Sequence, residues 1–240
     1  MRISCLAGLV GLCLAAPLAA QTPTAAPTPP TARPLIQAPA TVPPLTPENT
    51  WHLDLTSGGR VSIQLRPDVA PGHVERIKTL TRAGFYNGLT FHRVIEGFMA
   101  QGGDPQGTGQ GGSEMPDLAA EFSTLPHFRG AVAMARAQDP NSANSQFYIM
   151  FVPRLSMDGQ YTVFGRVVGG MPHVDAIARG EPPLQPTRIA RASIGSDNVP
   201  PLTPEQLQAA AAAQARAQAP VPATAPVPDS TPAQPRPQPQ

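Results

Sequence analysis

The sequence predicts a mostly β domain built around a closed and mostly antiparallel sheet. Short apolar runs of strand-like character recur between residues 50 and 197, and Gly-rich or Pro/Asn/Ser-rich connections separate them. The first two runs meet at a glycine turn, which is typical of a β-hairpin. Helical patterns are few and do not alternate regularly with the strands, which disfavours a doubly wound parallel sheet.

The bulky side chains define the limits of this domain. Aromatic residues first occur at Trp51 and last occur at Phe164. The Pro-rich segment 21–49 and the Ala/Pro/Gln-rich tail 198–240 contain none, so neither can bury enough apolar surface to offset its ordering entropy. We therefore predict one domain of about 148 residues, 50–197, between two disordered or linker-like flanks.

Residues 1–20 have the layout of a secretory signal peptide. Arg2 precedes an apolar run from Ile3 to about Ala16, and Pro17 and small residues follow it. The run is too short to span a bilayer comfortably. Cleavage near Ala20 predicts an exported protein, in a bacterial periplasm or outside the cell. An uncleaved N-terminal anchor is the alternative.

Composition disfavours several classes of site. The net charge is +1 and charged residues make up 14% of the chain, with no basic patch, so we expect no nucleic-acid partner. Both cysteines, Cys5 and Cys13, lie in the predicted signal peptide, so the mature chain would hold no disulfide and no thiolate. The five histidines lack H-x-x-x-H spacing, so we expect no metal.

A glycine loop, Gly107–Gly112, reads GTGQGG and satisfies the G-x-G-x-x-G pattern of dinucleotide sites. That pattern needs a strand before it and a helix directly after it, so that the helix N-terminus meets the pyrophosphate. Here SEMPDLAAEF follows, with Pro116 near its start, and no βαβ unit is predicted. We interpret the glycines as a tight surface loop and expect no cofactor. A nucleotide-binding oxidoreductase, which would rest on this loop alone, is therefore the least favoured of three hypotheses.

The predicted elements begin with a hairpin over residues 50–66 that turns at Ser57–Gly59. Apolar residues at helical spacing from Val74 to Leu80, between Pro71 and Gly84, predict a helix. Six strand-like runs follow: Thr90–Ile95, Phe98–Gln101, Ala131–Ala135, Gln146–Phe151, Thr162–Val168 and Arg188–Ile194.

Two further helices are predicted towards the C-terminus. A short one is expected near His173–Ala178. Beyond the domain, Thr203 and Gln206 form an N-cap and capping-box pattern, which favours a helix over 204–219. This alanine-rich run has almost no stripe of large apolar residues, so we do not expect it to dock as core.

Two stretches carry unusual polar residues. FHRVIEGFMAQGGD places one arginine, Arg93, among apolar residues and follows it with Gln101. In SQFYIMF, alternation puts Gln146, Tyr148 and Met150 on one face of a strand that is apolar on both faces. Gln146 is then a buried amide, which either bonds to backbone or points into a pocket.

Three blocks resemble the signature segments of the cyclophilin-type peptidyl-prolyl cis–trans isomerases. They are FHRVIEGFMAQGGDPQGTGQGG, MARAQDPNSANSQFYI and MDGQYTVFGRVVGGM, and the resemblance extends in order over roughly residues 50–196. The flanks are not covered. The resemblance implies an eight-stranded antiparallel β-barrel closed by two helices, in agreement with the coarse prediction above.

The resemblance also implies a role for each matched position. Arg93 would donate a hydrogen bond to the proline nitrogen of the substrate, and Gln101 and Gln146 would orient Arg93 and the substrate carbonyl. Ala135 and Arg136 would receive the substrate backbone. The predicted catalytic residues are Arg93 and Gln101, and the predicted substrate-binding residues are Phe98, Met99, Ala135, Arg136, Gln146, Tyr148, Met157 and Tyr161.

Several positions depart from the common pattern of the family. Arg136 replaces a common Asn, but its expected contact is through the main chain, and Tyr161 replaces a frequent His and would place a hydroxyl at the pocket rim. Tyr148 replaces the commoner Phe and keeps the ring, and Met157 replaces Leu and should still fill the pocket. A different departure, Glu96, stands where Pro is usual.

Because Pro limits the freedom of the unfolded chain, Glu96 is expected to loosen the turn before Gly97 by about 0.4–1 kcal/mol. Glu96 could also pair with Arg93, although the turn should point it outward. Ser156 stands where cyclosporin-sensitive members carry Trp, so we expect weak cyclosporin binding.

The leading hypothesis is an exported isomerase that accelerates rotation about Xaa-Pro bonds in unfolded or flexible polypeptides and assists their folding. It would need neither metal nor cofactor, and we expect a monomer. The alternative, of a different class, is a peptide-binding chaperone or interaction module with little catalysis. The intact set of Arg93, Phe98, Met99 and Gln101 favours the enzyme.

Overall fold

The computed structural model describes residues 34–217, and three α-helices, three short 3-10 helices and eight strands lie in this range. The α-helices are α1 Pro71–Arg82, α2 Met171–Asp175 and α3 Pro204–Ala217. The strands are β1 Thr50–Leu55, β2 Gly59–Leu65, β3 Phe91–Ile95, β4 Met99–Gly102, β5 Ala131–Met134, β6 Phe147–Met150, β7 Val163–Gly169 and β8 Ile189–Ile194. The predicted fold class is therefore confirmed.

The eight strands form one curled antiparallel sheet in the order β3-β4-β6-β5-β7-β2-β1-β8. The two edge strands, β3 and β8, contact each other only near their N-terminal ends. There an isolated bridge joins Thr90 to Arg188, and the Phe91 N–H donates to the Thr187 carbonyl at 3.0 Å. The predicted closure of the sheet is therefore limited to a short pairing at one end of the two edge strands. The sheet as a whole is a curled half-barrel.

The inner face of the curled sheet holds the main core. Trp51 on β1 is fully buried and makes edge contacts with Tyr86 and Phe147, with ring centroids 5.3 and 4.9 Å apart. These large rings fill the space between the sheet and α1, whose Ile77 is also fully buried. Burial of such side chains contributes about 1.5–3 kcal/mol each.

A second, smaller apolar cluster lies on the opposite face of the same strands. Its buried members are Met99, Ala131, Ala133, Tyr148, Met150 and Val163. The predicted alternation along β6 is confirmed, because Phe147 and Ile149 belong to the inner core whereas Tyr148 and Met150 belong to this outer cluster. The outer cluster is the floor on which the candidate site is built.

Helix α1 begins at Pro71, as its sequence pattern predicts, but its N-terminus is capped from a distance. Both carboxylate oxygens of Glu121 accept backbone N–H bonds, from Gly72 and His73, each at 3.1 Å. Oε2 also lies 2.6 Å from the His73 Nδ1 atom. An acidic group at a helix N-terminus is favoured by the helix dipole, and this one lies 48 residues beyond His73.

Part of the segment predicted to be linker lies against the domain. The Ile36 N–H donates to the Phe122 carbonyl at 2.8 Å, and the Ile36 carbonyl accepts from Thr124 N–H at 3.0 Å. Further along, the Gln64 side-chain amide donates to the Pro43 carbonyl at 2.7 Å. Residues 34–49 of the predicted Pro-rich linker are thus held against the domain by hydrogen bonds.

The predicted signal peptide, the Pro-rich residues 21–33 and the tail beyond residue 217 lie outside the described residues. Within 34–217, no helix is long and apolar enough to cross a membrane.

Helix α3 begins where its capping residues indicate. Thr203 and Gln206 bond reciprocally: the Gln206 N–H donates to the Thr203 hydroxyl at 3.3 Å, and the Thr203 N–H donates to the Gln206 side chain at 2.9 Å. Leu207 on the first turn is only 4% exposed. One leucine therefore docks in a segment that was expected not to contribute to the core.

We predict that Gly103→Ala destabilises the protein more than Gly97→Ala. Both glycines have positive φ, +88° and +63°, where an added Cβ costs about 1–2 kcal/mol. At Gly103 the Cβ would also lie 2.4 Å from the Ser145 carbonyl oxygen, whereas at Gly97 no atom lies within 4 Å. Urea denaturation of both variants should show a larger loss of unfolding free energy for Gly103→Ala, and equal losses would contradict the close contact.

Candidate active site

Four strands place the central residues of the site in one row. Arg93 on β3 is in register with Gln101 on β4, Gln101 with Tyr148 on β6, and Tyr148 with Ala133 on β5. Residues in register on neighbouring antiparallel strands project from the same face, with Cβ atoms about 4.5–5.5 Å apart. The sheet therefore brings a cation, an amide and an aromatic ring together on its outer face.

This row borders a cavity of about 320 Å³. Nine of the ten predicted site residues line it: Arg93, Phe98, Met99, Gln101, Ala135, Arg136, Tyr148, Met157 and Tyr161. The tenth, Gln146, lines a neighbouring cavity of about 480 Å³ that shares Gln101, Ala135 and Arg136 with the first. The sequence motifs thus converge on two adjoining cavities.

Arg93 is held by a residue that the sequence analysis did not identify. Its Nε–H donates to Glu181 Oε2 at 2.7 Å, and both side chains are partly open to water, at 42% and 50% exposure. Within the described chain, Glu181 is the only hydrogen-bond partner of the Arg93 side chain. Nothing in the segment ARGEPP signals this contact, which depends on how the chain returns after α2.

Glu96 does not pair with Arg93. Its carboxylate accepts from Arg179 Nε–H at 2.5 Å, and the Arg179 guanidinium lies 4.2 Å from the centre of the Phe151 ring. The turn that Glu96 occupies is closed by a Phe98 N–H bond to the Ile95 carbonyl at 3.1 Å. The charge that replaces the usual proline has its own cationic partner.

The two glutamines bond to each other and to the glycine loop. Gln101 Nε2–H donates to Gln146 Oε1 at 2.9 Å, and Gln146 Nε2–H donates to the carbonyls of Gly109 and Gly111 at 3.0 and 2.7 Å. Neither amide bonds to Arg93, so the expectation that they orient Arg93 is not met in this structure. Gln146 therefore makes the predicted bonds to backbone, and its side chain also lines the second cavity.

The Tyr148 hydroxyl, which the commoner Phe lacks, has a buried partner. It lies 3.1 Å from His127 Nε2, and His127 Nδ1 lies 2.9 Å from Asp158 Oδ1. With Nδ1–H donating to the carboxylate, Nε2 accepts from the hydroxyl. Burial lowers the pKa of His127 more than Asp158 raises it, so the imidazole stays neutral at neutral pH, and burial also raises the pKa of Tyr148.

The sequence did not predict this chain of hydrogen bonds from Tyr148 through His127 to Asp158. The signal was the replacement of Phe by Tyr148, because a buried hydroxyl needs a partner. Which residue would supply the partner was not readable from spacing, since His127 lies 21 residues earlier in the chain.

Arg136 folds its side chain along the rim of the cavities. Its guanidinium donates to the carbonyls of Gln160 and Ala137 at 2.9 and 2.8 Å and lies 4.6 Å from the centre of the Tyr161 ring. The main-chain N–H and carbonyl of Arg136 have no partner within residues 34–217, whereas the Ala135 N–H donates to the Gln146 carbonyl at 3.0 Å. A strand-like edge is therefore open at Arg136.

The glycine loop has a structural explanation. Asp104 is buried and accepts the backbone N–H groups of Gln106, Thr108 and Gly109 at 2.8, 2.9 and 2.6 Å. Burial would raise the pKa of Asp104, but these bonds outweigh it and keep the pKa below its usual value. No helix follows Gly112 before β5, so the loop lacks the element that would hold a pyrophosphate.

In the described part of the chain, no group of three or more His, Cys, Asp or Glu side chains is placed to hold a metal ion. The functional groups that line the two cavities include the guanidinium groups of Arg93 and Arg136, the amides of Gln101 and Gln146, and the apolar floor.

Comparison with known proteins identifies the family to which the chain belongs. The family model described as cyclophilin-type peptidyl-prolyl cis-trans isomerase matches residues 52–194. A probable peptidyl-prolyl cis-trans isomerase of Brucella suis is 51% identical over 167 residues, which cover 63% of this chain and 85% of the relative.

Two solved structures are similar. The cyclophilin AquaCyp293 of Hirschia baltica has a TM-score of 0.60 and 30% identity, over 65% of this chain and 77% of that one. A Cryptosporidium parvum cyclophilin-type isomerase, solved in the presence of the dipeptide Ala-Pro, has a TM-score of 0.57 and 27% identity, over 60% and 98% of the two chains. Because the family model matches well over half of the chain, the chain belongs to the cyclophilin-type peptidyl-prolyl cis–trans isomerases and is an enzyme that isomerises Xaa-Pro peptide bonds.

Proposed function

We propose that Arg93 is the catalytic donor and that the 320 Å³ cavity holds the proline ring of the substrate. The observation that carries this proposal is the row Arg93–Gln101–Tyr148, which sets a guanidinium beside an apolar floor in a single cavity. Members of this family bind proline-containing peptides, and Phe98, Met99 and Met157 supply apolar surface in the lining of this cavity.

The reaction requires only that a barrier be lowered. Rotation about a peptide bond costs about 18–20 kcal/mol because the C–N bond is partly double. The two isomers of an Xaa-Pro bond differ by only about 0.5–1 kcal/mol, yet they interchange over tens to hundreds of seconds. No covalent bond is made or broken, so the site needs neither a nucleophile nor a metal.

Arg93 lowers this barrier by differential binding. At the twisted transition state the amide loses its conjugation and the proline nitrogen regains a lone pair, which accepts a hydrogen bond better than the planar amide nitrogen does. A donor aimed at that nitrogen therefore stabilises the transition state more than either ground state. The Nε–H of Arg93 is engaged by Glu181, and its Nη atoms have no partner in the described chain.

The apolar residues hold one side of the bond while the other side rotates. Phe98, Met99 and Met157 line the same cavity as the guanidinium, and Tyr148 forms its floor. On the other side, the open main chain of Arg136 can pair with the residues that precede proline. Gln101 lies between the two groups and can meet the substrate carbonyl.

We propose that the enzyme acts on exported polypeptides. The supporting observation is the signal-peptide layout of residues 1–20, and export would place the domain among chains that fold after translocation. The proposed substrates are exposed Xaa-Pro bonds in unfolded or flexible segments, and the proposed form is a monomer. Fractionation of cells that express the full chain, with the mature N-terminus sequenced, tests the localisation.

We predict that Arg93→Ala lowers kcat/KM by at least about 10²-fold, in line with the loss of one transition-state donor. Arg93→Lys keeps the charge but not the fixed fork of donors, so its activity should be intermediate. The assay is isomerisation of a proline peptide by the full chain. Arg82→Ala is a matched control, since Arg82 is 45% exposed, is ion-paired and lies on α1 away from the cavity. An unchanged rate in Arg93→Ala would refute the assignment.

We also predict weak inhibition by cyclosporin and a gain on Ser156→Trp. Ser156 is exposed beside Met157 at the rim of the cavity. An indole there would add a large apolar surface and an N–H donor, so the affinity should rise at least about tenfold. The inhibition constant of each protein, wild type and Ser156→Trp, is measured by titrating its isomerase activity with cyclosporin. Nanomolar inhibition of the wild type would contradict the role given to this position.

A further inference from the structure

We propose that Glu181 is a positioning residue for Arg93: it holds the guanidinium by its Nε–H so that the Nη edge faces the substrate. The inference rests on the proposed function of Arg93. The distance from Arg93 Nε to Glu181 Oε2 is 2.7 Å, and within residues 34–217 no other group bonds to the Arg93 side chain. The hydrogen bond fixes the plane of the guanidinium, because Nε is the one nitrogen within the side chain rather than at its tip.

The backbone places Glu181 beside Arg93 by a direct pairing of neighbouring residues. The Val94 N–H donates to the Gly180 carbonyl at 2.8 Å, and the Gly180 N–H donates to the Val94 carbonyl at 2.9 Å. Val94 follows Arg93 and Glu181 follows Gly180, so this reciprocal pair brings the two side chains to the same place. The backbone hydrogen bonds of the neighbouring residue, Gly180, therefore fix the position of the Glu181 main chain.

A second ion pair secures the same segment. Arg179 and Glu96 pair at 2.5 Å, and the Arg179 guanidinium also packs on the Phe151 ring. Residues 179–181 are thus attached to the β3–β4 hairpin at three successive positions: Arg179 to Glu96, Gly180 to Val94, and Glu181 to Arg93. We call these three residues the clasp.

Orientation, rather than charge, is what Glu181 can contribute. Both partners are roughly half exposed, so water screens their attraction and the pair adds little to stability. An arginine that is free to rotate, however, must lose rotamer freedom each time it meets the transition state. A carboxylate that already fixes Nε removes part of this cost before substrate arrives.

The decisive experiment compares Glu181→Ala with Glu181→Gln in the full chain. Glu181→Ala removes the acceptor and should lower kcat about three- to tenfold with little change in KM, because the bond acts on the transition state through Arg93. Glu181→Gln keeps an oxygen that can accept from Nε–H but loses the charge, so it should retain most of the activity. Because Glu181 is half exposed, both variants are expected to fold, which circular dichroism checks.

A double-mutant cycle separates positioning from a structural effect. In the Arg93→Ala background, Glu181→Ala should have no further effect, since there is no guanidinium left to orient. Asp175→Asn is the matched control for charge: Asp175 is also a half-exposed partner of an arginine, Arg129, but does not line either cavity, and its rate should equal that of the wild type.

Three outcomes would overturn the inference. A normal rate in Glu181→Ala would mean that Arg93 needs no anchor, and a higher rate would mean that Glu181 restrains Arg93. An equal loss in the presence and absence of Arg93 would assign Glu181 a structural role. If Arg93→Ala itself retained full activity, the proposed function of Arg93 would fail first, so the two failures are distinguishable.

Discussion

The register between β3, β4, β6 and β5 is the constraint on which the site depends. It aligns Arg93, Gln101, Tyr148 and Ala133 across four strands, and a shift of one residue in any pairing would turn the side chains of that strand to the opposite face. The register is secured from the inner face, where Phe147 and Ile149 on β6 belong to the main core. The core around Trp51 therefore determines the geometry of a site that lies on the other side of the sheet.

Such rigidity suits the reaction. Isomerisation makes no covalent intermediate, so the enzyme gains only from contacts that are better in the twisted state than in the planar one. The difference between these states is a rotation about one bond, and a floor of buried side chains beside the proposed donor, Arg93, can distinguish them. Tyr148 illustrates this, because its ring is held by the His127 hydrogen bond as well as by packing.

The sequence predicted what local patterns encode. The alternation in SQFYIMF gave the two faces of β6, the spacing from Val74 to Leu80 gave α1, and the signature blocks gave nine residues that meet in one cavity. It failed where a contact joins distant segments. In the sequence, nothing distinguishes Glu121, which caps the start of α1, or Glu181, which contacts Arg93, from other acidic residues. Their partners lie far away in the sequence and become neighbours only in the folded chain.

The position of β3 in the sheet explains why the clasp matters. β3 is an edge strand, so one side of its backbone has no neighbouring strand along most of its length, and a free edge is prone to unwanted pairing. The clasp covers this edge through Val94 and Gly180 and adds an ion pair on either side of that bridge. Glu96, which stands where the family usually has proline, supplies the carboxylate of one of these pairs. An enzyme whose proposed donor stands on an edge strand needs a second attachment for that strand, and the clasp supplies it from the return segment after α2.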